Sequence, residues 1–191
     1  MLVSDAKIAP GVVATRLIAL DDAPALSSLL VENREFLAPW SPVMPDSMFT
    51  ESGQAAIVAE SLTRFEHGEM LPHVIIDVDG ELVGRINLAS ITHRAFQSAG
   101  MGYWVAQQQN GRGVAAAAVA CMLVEAFEVV GLHRVQAETL ARNVASQRVL
   151  ERNGLEWIGF APKYLQIADQ WQDHVIYQRV NGNWANAAAS S

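Results

Sequence analysis

A mixed α/β fold, with a mostly antiparallel sheet flanked by helices, is what the order of elements in this 191-residue chain predicts. Three observations carry that reading. Asp79-Gly80 is a turn dipeptide between two apolar runs and predicts a tight antiparallel hairpin. The strand-like run Met101 to Val105 leads through a glycine loop into a long alanine-rich helix. A second hairpin pattern, Tyr164 to Ile167 with His174 to Val180, completes the sheet.

Taken in order, Thr15 to Leu20 reads as a first strand, and Asp21-Asp22 offer capping residues for a helix through about Val31. The loop Ala38-Pro39-Trp40-Ser41-Pro42 ends it. A second helix starts after Thr50 and runs to about His67, with Gly68 as its stop. The period then changes to that of strands, His73 to Val78 and Glu81 to Leu88 around the turn, followed by a loop near Thr92 to Gln97. After the Met101 to Val105 strand comes the helix Val114 to Val130, closed by Gly131, and Arg134 to Thr139 is the next strand. Asn143 suits the N-cap of a short helix that Asn153-Gly154 terminates, and Trp157 to Phe160 precedes the final hairpin. The tail from Asn181, ending Ala-Ala-Ala-Ser-Ser, is predicted to be disordered.

With 51% hydrophobic and 17% charged residues, the chain has apolar content for one globular core, and residues 1–191 are expected to form a single domain with its core at about 15–180. A net charge of -7 argues against nucleic acid or an acidic membrane as a partner held by bulk charge. The lone cysteine, Cys121, excludes an internal disulfide and falls on the apolar face of the alanine-rich helix, where it is expected to be inert core. Met1 to Asp5 lack the basic and apolar pattern of a leader, and Ala115 to Val124 is too short to span a membrane, so a cytoplasmic location is expected. The five histidines show no paired ligand spacing, and no metal is expected.

The loop Asn110-Gly111-Arg112-Gly113 is the most informative segment. No acidic residue occurs from Met101 through Val124. A helix start normally has its exposed N–H groups answered by a Ser, Thr, Asp or Asn cap or by acidic residues in the first turn. Here glycines and an arginine stand instead, which suits phosphate or pyrophosphate bound on bare amides. A plain turn with a solvated arginine is the alternative. The segment lacks the Gly-Lys-Ser/Thr ending of a nucleotide triphosphatase loop, and Gln107-Gln108-Gln109 separate strand from glycines, unlike a dinucleotide fold.

Asn110-Gly111-Arg112-Gly113-Val114-Ala115 followed by Asn143-Val144-Ala145-Ser146, in this order of elements, resembles the GNAT superfamily of acyl-coenzyme A-dependent N-acetyltransferases, from about Thr15 to Val180. Glu32-Asn33-Arg34 with Leu37 and Pro39-Trp40, the Arg142-Asn143 to Asn153-Gly154 block, and Lys163-Tyr164-Leu165 with Gln170-Trp171-Gln172-Asp173-His174-Val175 are similar to the branch of ribosomal-protein alanine N-acetyltransferases. The resemblance implies a sheet splayed at the acyl-coenzyme A site and acetyl-coenzyme A as cosubstrate. It places the pyrophosphate on the backbone of Asn110, Gly111, Arg112, Gly113, Val114 and Ala115, and the pantetheine arm on the backbone of Val105. The family usually has Gln or Arg at the loop's first position, where this chain has Asn110. Asn143 can cap its helix or bind the coenzyme A arm, and the sequence leaves both open.

Acetyl transfer to an amine requires a neutral nucleophile, a stabilised oxyanion and a proton for the departing thiolate. By the resemblance Glu138 is the base, acting through a water, Ser146 contacts and protonates the sulfur, and the Val105 amide holds the oxyanion. Other members of the superfamily use a tyrosine later in that helix, where this chain has Leu150. For Glu138 the alternative is a solvent-facing strand residue, since alternation alone does not say which face is the cleft. For Ser146 it is an ordinary polar residue of a first helical turn. Trp40, Tyr103 and Tyr164, with Phe36 and Trp171, are candidates for the acceptor wall, or else lid and core packing. The expected acceptor is an α-amine, foremost the N-terminal alanine of a ribosomal or other protein. A small amine (antibiotic, amino acid or polyamine) and a non-catalytic acyl-coenzyme A sensor are the alternatives; acyl length and oligomeric state are not legible.

Overall fold

The computed structural model describes residues 13–184. Strand β1, Ala14–Leu17, is shorter than its apolar pattern suggests. The chain leaves the sheet because Asp22 draws it into a 3-10 turn, Leu20–Asp22. The Asp22 carboxylate accepts from the Ala19 amide at 2.8 Å and from both terminal nitrogens of Arg16 at 2.7 and 2.6 Å. Asp22 therefore caps the turn, and its side chain makes no cap bond to helix α1, Ala23–Glu32. A short helix α2, Arg34–Leu37, follows, and the first three residues of the expected loop Ala38 to Pro42 form a 3-10 turn, Ala38–Trp40. Pro39 fits there because the first positions of such a turn need no N–H.

Helix α3, Glu51–Glu66, begins where expected: the Thr50 hydroxyl accepts from the Gly53 amide at 3.1 Å. Strands β2, Met70–Ile76, and β3, Leu82–Thr92, form the predicted hairpin. Its turn is held by Asp77, whose Oδ1 accepts from the amides of Asp79 and Glu81 at 2.9 and 3.1 Å. Strand β4 is Ser98–Val105, and helix α4, Val114–Val124, widens into a π-helical turn, Glu125–Val129, before Gly131 closes it. Strand β5, Arg134–Leu140, and helix α5, Val144–Arg152, follow. The last two strands are β6, Glu156–Ile167, and β7, Gln170–Val180. Strand β6 is continuous where two pieces were expected, because register shifts between Trp157 and Gly159 and between Ala161 and Leu165 absorb Pro162 and Lys163.

The seven strands run in the order β1-β2-β3-β4-β5-β7-β6, antiparallel throughout except for β4 beside β5. One core lies under α4, with Ile86, Leu88, Val119, Met122 and Val135. A second lies on the opposite face under α1 and α3, with Leu26, Val58, Val74 and Ile76. Covered on both sides, β2 is buried along its whole length, which is why Met70 to Ile76 shows no alternation. The predicted disorder from Asn181 is corrected for its first residues: the Asn181 amide donates to the His133 carbonyl at 2.8 Å, and the Trp184 indole stands edge-on to His133. The rest of that tail, and Met1 to Asp5, lie outside the described residues. Among the described residues no helix is long and apolar enough to cross a membrane.

His73, 3% exposed, sits in β2 against the Thr15 hydroxyl at 3.2 Å, and its other ring nitrogen is buried without a partner among the described residues. Burial, helped by the nearby Arg16, lowers its pKa from 6.5 to about 4. The unfolded chain therefore binds this proton more tightly, and stability falls as pH drops from about 6.5 towards 4, by a total of about 3 kcal/mol. Urea unfolding of His73→Gln between pH 7 and pH 4.5 is expected to give a flatter stability profile than the parent; parallel profiles would show that the histidine does not titrate with folding.

Candidate active site

Strands β4 and β5 share only three rungs, Ser98 to Arg134, Ala99 to Val135 and Gly100 to Gln136. Beyond them β4 stays with β3 as far as Val105, β5 stays with β7 as far as Leu140, and the two halves of the sheet part. The Ala106 amide donates to the Val83 carbonyl at 2.8 Å, so by alternation the N–H and C=O of Val105 face the gap. Gly84 makes the tight β3–β4 approach possible: a Cβ there would stand 2.2 Å from the Trp104 carbonyl oxygen. The split thus presents a free strand edge inside the molecule.

A cavity of about 570 Å³ runs through it. Phe36, Leu37 and Trp40 line one end; Tyr103, Trp104 and Val105 line the middle; Asn110, Gly111, Gly113, Val114 and Ala115 meet Asn143, Ser146, Arg148 and Arg152 at the other. Gly113 is the N-cap of α4 in the left-handed region, φ 81°, a conformation that suits glycine, and among the described residues no side chain caps the helix. The amides of Val114, Ala115 and Ala116 are the first-turn donors that a helix cannot satisfy itself. The loop is fixed from behind. Gln109 Nε2 donates to Asp77 Oδ2 at 3.1 Å, and the Gln107 amide donates to Asn33 Oδ1 at 2.7 Å. Arg112 is exposed and does not line the cavity. The cations that do are Arg148 and Arg152; their spacing of four on a helix was the signal that would have found them.

Asn143 serves as a cap: its Oδ1 accepts from the Ser146 amide at 3.1 Å. Ser146 lies 2.9 Å, oxygen to oxygen, from the Tyr103 phenol. Burial pushes that phenol up to about 12, against the pull of the Ser146 hydrogen bond, so it stays protonated. Tyr103, a candidate for the acceptor wall, thus stands on the cavity wall and engages the serine. Leu150 is core, 1% exposed, and belongs to the packing between α4 and α5. Asn153 holds the two helices together, donating to the Ala116 and Val149 carbonyls at 3.1 and 2.9 Å. Arg142 stacks over Trp40 at 5.3 Å and donates to the Pro39 carbonyl at 2.8 Å, which ties the turn after α2 to the start of α5.

Glu138 does not line this cavity. Its neighbours Val135 and Ala137 belong to the core under α4, so Glu138 points to the opposite face, the one that carries Trp104 and helix α1. It is half-buried; burial raises its carboxyl pKa, and the nearby His174 pulls it partly back. Tyr164 leans on His174 with ring centroids 5.7 Å apart, and its phenol is raised by burial and then by the Glu138 charge. Tyr164 and Trp171 are exposed and lie outside the cavity lining. Cys121 is half-buried rather than core, with its thiol pushed up by burial. Among the described residues no three His, Cys, Asp or Glu side chains come together as a metal site.

Bare amides beside two arginines at one end, and a free strand edge leading on to Phe36, Leu37 and Trp40 at the other, fit a long thioester with a diphosphate. Comparison with known proteins agrees. A model of the acetyltransferase (GNAT) domain family matches residues 14–156. YjcK of Bacillus subtilis (strain 168), a probable N-acetyltransferase, is 33% identical over 167 residues, 87% of this chain and 92% of that protein. The [ribosomal protein uS5]-alanine N-acetyltransferase of Escherichia coli (strain K12) is 30% identical over 170 residues, 88% of either chain. Mycobacterium smegmatis RimJ, solved in complex with CoA-disulfide, shares the fold with a TM-score of 0.86 and 32% identity, over 94% of this chain and 90% of its own. These likenesses run through the split and both helices beside it, and on them the chain belongs to the GNAT superfamily as an acetyl-coenzyme A-dependent N-acetyltransferase.

Proposed function

We propose that the chain acetylates the free α-amine of a protein N-terminus, in first place an N-terminal alanine of a ribosomal protein. The observation that carries this reading is the parting of β4 and β5 between a bare helix start and a single half-buried carboxylate. A free α-amine has a pKa of roughly 7.7–8, against about 10.4 for lysine, so one carboxylate whose basicity is raised by burial suits the α-amine better. The likeness to the uS5-alanine enzyme along nearly the whole of both chains supports a ribosomal acceptor.

In this mechanism acetyl-coenzyme A supplies the activated acyl group, held by the loop Asn110 to Ala115, by Arg148 and Arg152, and by the Val105 backbone. Glu138, through a water, removes the proton of the attacking amine. The Val105 amide faces the gap and donates to the carbonyl oxygen as negative charge develops on it; such a donor is typically worth about 2.7–4 kcal/mol. As the C–S bond breaks, Ser146 gives its proton to sulfur. Tyr103 is protonated and its oxygen lies 2.9 Å from that of Ser146; a bond donated by the phenol to the serine oxygen would leave the serine proton free to point at the leaving group.

Gly113→Asp places a carboxylate on the amides that would hold the diphosphate and strains the left-handed backbone, whereas Arg112→Ala removes an exposed cation outside the cavity. Calorimetry is expected to show a loss of acetyl-coenzyme A affinity of at least about a hundredfold for the first and about twofold for the second. Equal affinity of the aspartate variant and the parent would remove the loop from the binding site. Ser146→Ala is expected to lower kcat by about a hundredfold, the low end for general acids, with acetyl-coenzyme A affinity nearly unchanged. Because burial raises the Glu138 carboxyl, kcat/KM should rise with pH through an acid limb displaced upward from ordinary glutamate values. Glu138→Gln is expected to abolish that limb, and retention of it in the variant would assign the base to another group.

A further inference from the structure

The segment Asn33 to Ser41 bridges the two halves of the split sheet. At its start the Asn33 side chain accepts from the Gln107 amide at 2.7 Å, just past the end of β4. Towards its other end, Arg142, which follows β5, donates to the Pro39 carbonyl at 2.8 Å and stacks over Trp40 at 5.3 Å. The Ala168 amide, in the turn between β6 and β7, donates to the Ser41 carbonyl at 3.0 Å. The β4–β5 rungs have already ended at Gly100 and Gln136, so these bonds carry a strap from one half of the sheet to the other. Three of its side chains, Phe36, Leu37 and Trp40, line the cavity. The cavity is chemically graded along its length. Bare amides with Arg148 and Arg152 stand at one end, Ser146 and Val105 in the middle, and only apolar side chains at the strap. Among the described residues no acidic side chain lines it, and Glu138 stands on the other face of the sheet, so the strap end offers nothing to an amine.

We propose that the strap sets the length of the acyl group: the alkyl part of the donor points at Phe36, Leu37 and Trp40, the Trp40 indole is the stop that admits acetyl and turns longer chains away, and Arg142 is the positioning residue that holds the indole there. The proposal rests on the reading that puts the diphosphate on the start of α4 and the carbonyl at the Val105 amide, since a thioester laid that way directs its acyl tail to the strap. Arg142 does not line the cavity and acts only through Trp40. The indole is 38% exposed and has little packing of its own to fix it, so the stacked guanidinium and the bond to the neighbouring Pro39 carbonyl decide where it stands. A methylene for which a packed apolar site has no room is rejected by about tenfold or more. Trp40 is then a specificity-determining residue for the donor, and chain length depends on an arginine outside the cavity.

Donor binding alone reads the stop, so the test needs no acceptor. The full chain is titrated by calorimetry with acetyl-, butyryl- and hexanoyl-coenzyme A, and the readout is the ratio of Kd values, from which any common loss of affinity cancels. The parent is expected to bind butyryl-coenzyme A at least about tenfold more weakly than acetyl-coenzyme A. Trp40→Ala should shift that ratio towards the longer donor by at least about tenfold, because each methylene admitted to an apolar site is worth about fourfold. Trp40→Phe, one ring smaller, should fall between. Arg142→Ala leaves the indole present but unclasped and should shift the ratio the same way by about fivefold; Arg142→Lys keeps a donor without the planar stack and should shift it less. A parent that binds both donors alike, or the parent ratio in both Trp40 variants, would overturn the stop. The parent ratio in Arg142→Ala, or the equal loss for all donors that a merely structural role gives, would overturn the clasp. Gly113→Asp run beside these separates the proposal from the reading beneath it: full acetyl-coenzyme A affinity there sinks the diphosphate assignment, whereas a loss there with unmoved ratios in the Trp40 and Arg142 variants sinks only the stop.

Discussion

The parting of β4 and β5 after three rungs is the constraint on which the site depends. A parallel pair left unfinished is stable only if each strand is held by its other neighbour. Here β4 is paired with β3 along its length, and β5 with β7. Two sheet halves therefore meet at a hinge of three rungs, and the backbone groups that would have closed the ladder face the cavity. Helices α4 and α5 cover one side of the opening, and α2 with Trp40 reaches the other. The candidate reacting groups lie on both faces: Ser146 and Tyr103 on the side of α5, Glu138 on the side of α1. A closed sheet would have kept them apart.

Side-chain bonds over long sequence distances fix this opening. Asn33 and Gln107 are 74 residues apart, Asp77 and Gln109 are 32 apart, and Pro39 and Arg142 are 103 apart. The first two clamp the segment between β4 and the glycine loop, and the third clamps the turn after α2 onto the start of α5. Buried amide and carboxylate groups of this kind specify one arrangement because any displacement leaves them unpaired. The glycine loop can therefore be rich in glycine and still present its amides in a set direction.

Much of the fold was legible because its signals are local. The Asp79-Gly80 turn, the Thr50 cap, the glycines that end helices and the missing acid at the start of α4 each act within a few residues. The glycine loop, Asn143 and Ser146 were found for the same reason, and they do meet in one cavity. What was not legible depends on distant partners. Asp22 looks like a helix cap until Arg16 is placed beside it. The Tyr103 hydroxyl could not be assigned to Ser146 without the crossing of β4 and α5, and the pieces Trp157 to Phe160 and Tyr164 to Ile167 are one strand because a register shift absorbs the residues between them. The face occupied by Glu138 follows from packing of Val135 and Ala137 under α4, a fact of the assembled sheet rather than of the strand's own pattern.

The uncapped start of α4 links folding to anion occupancy. With Gly113 in the left-handed region and, among the described residues, no side chain answering the first-turn amides, the helix lacks a contribution that a side-chain cap supplies, about a few tenths of a kcal/mol relative to glycine. An anion that binds only the folded chain restores it and adds its own mass-action term, about 2.7 kcal/mol at a hundred times its Kd. A thioester whose diphosphate sits on these amides would therefore make the folded chain more stable as its concentration rises.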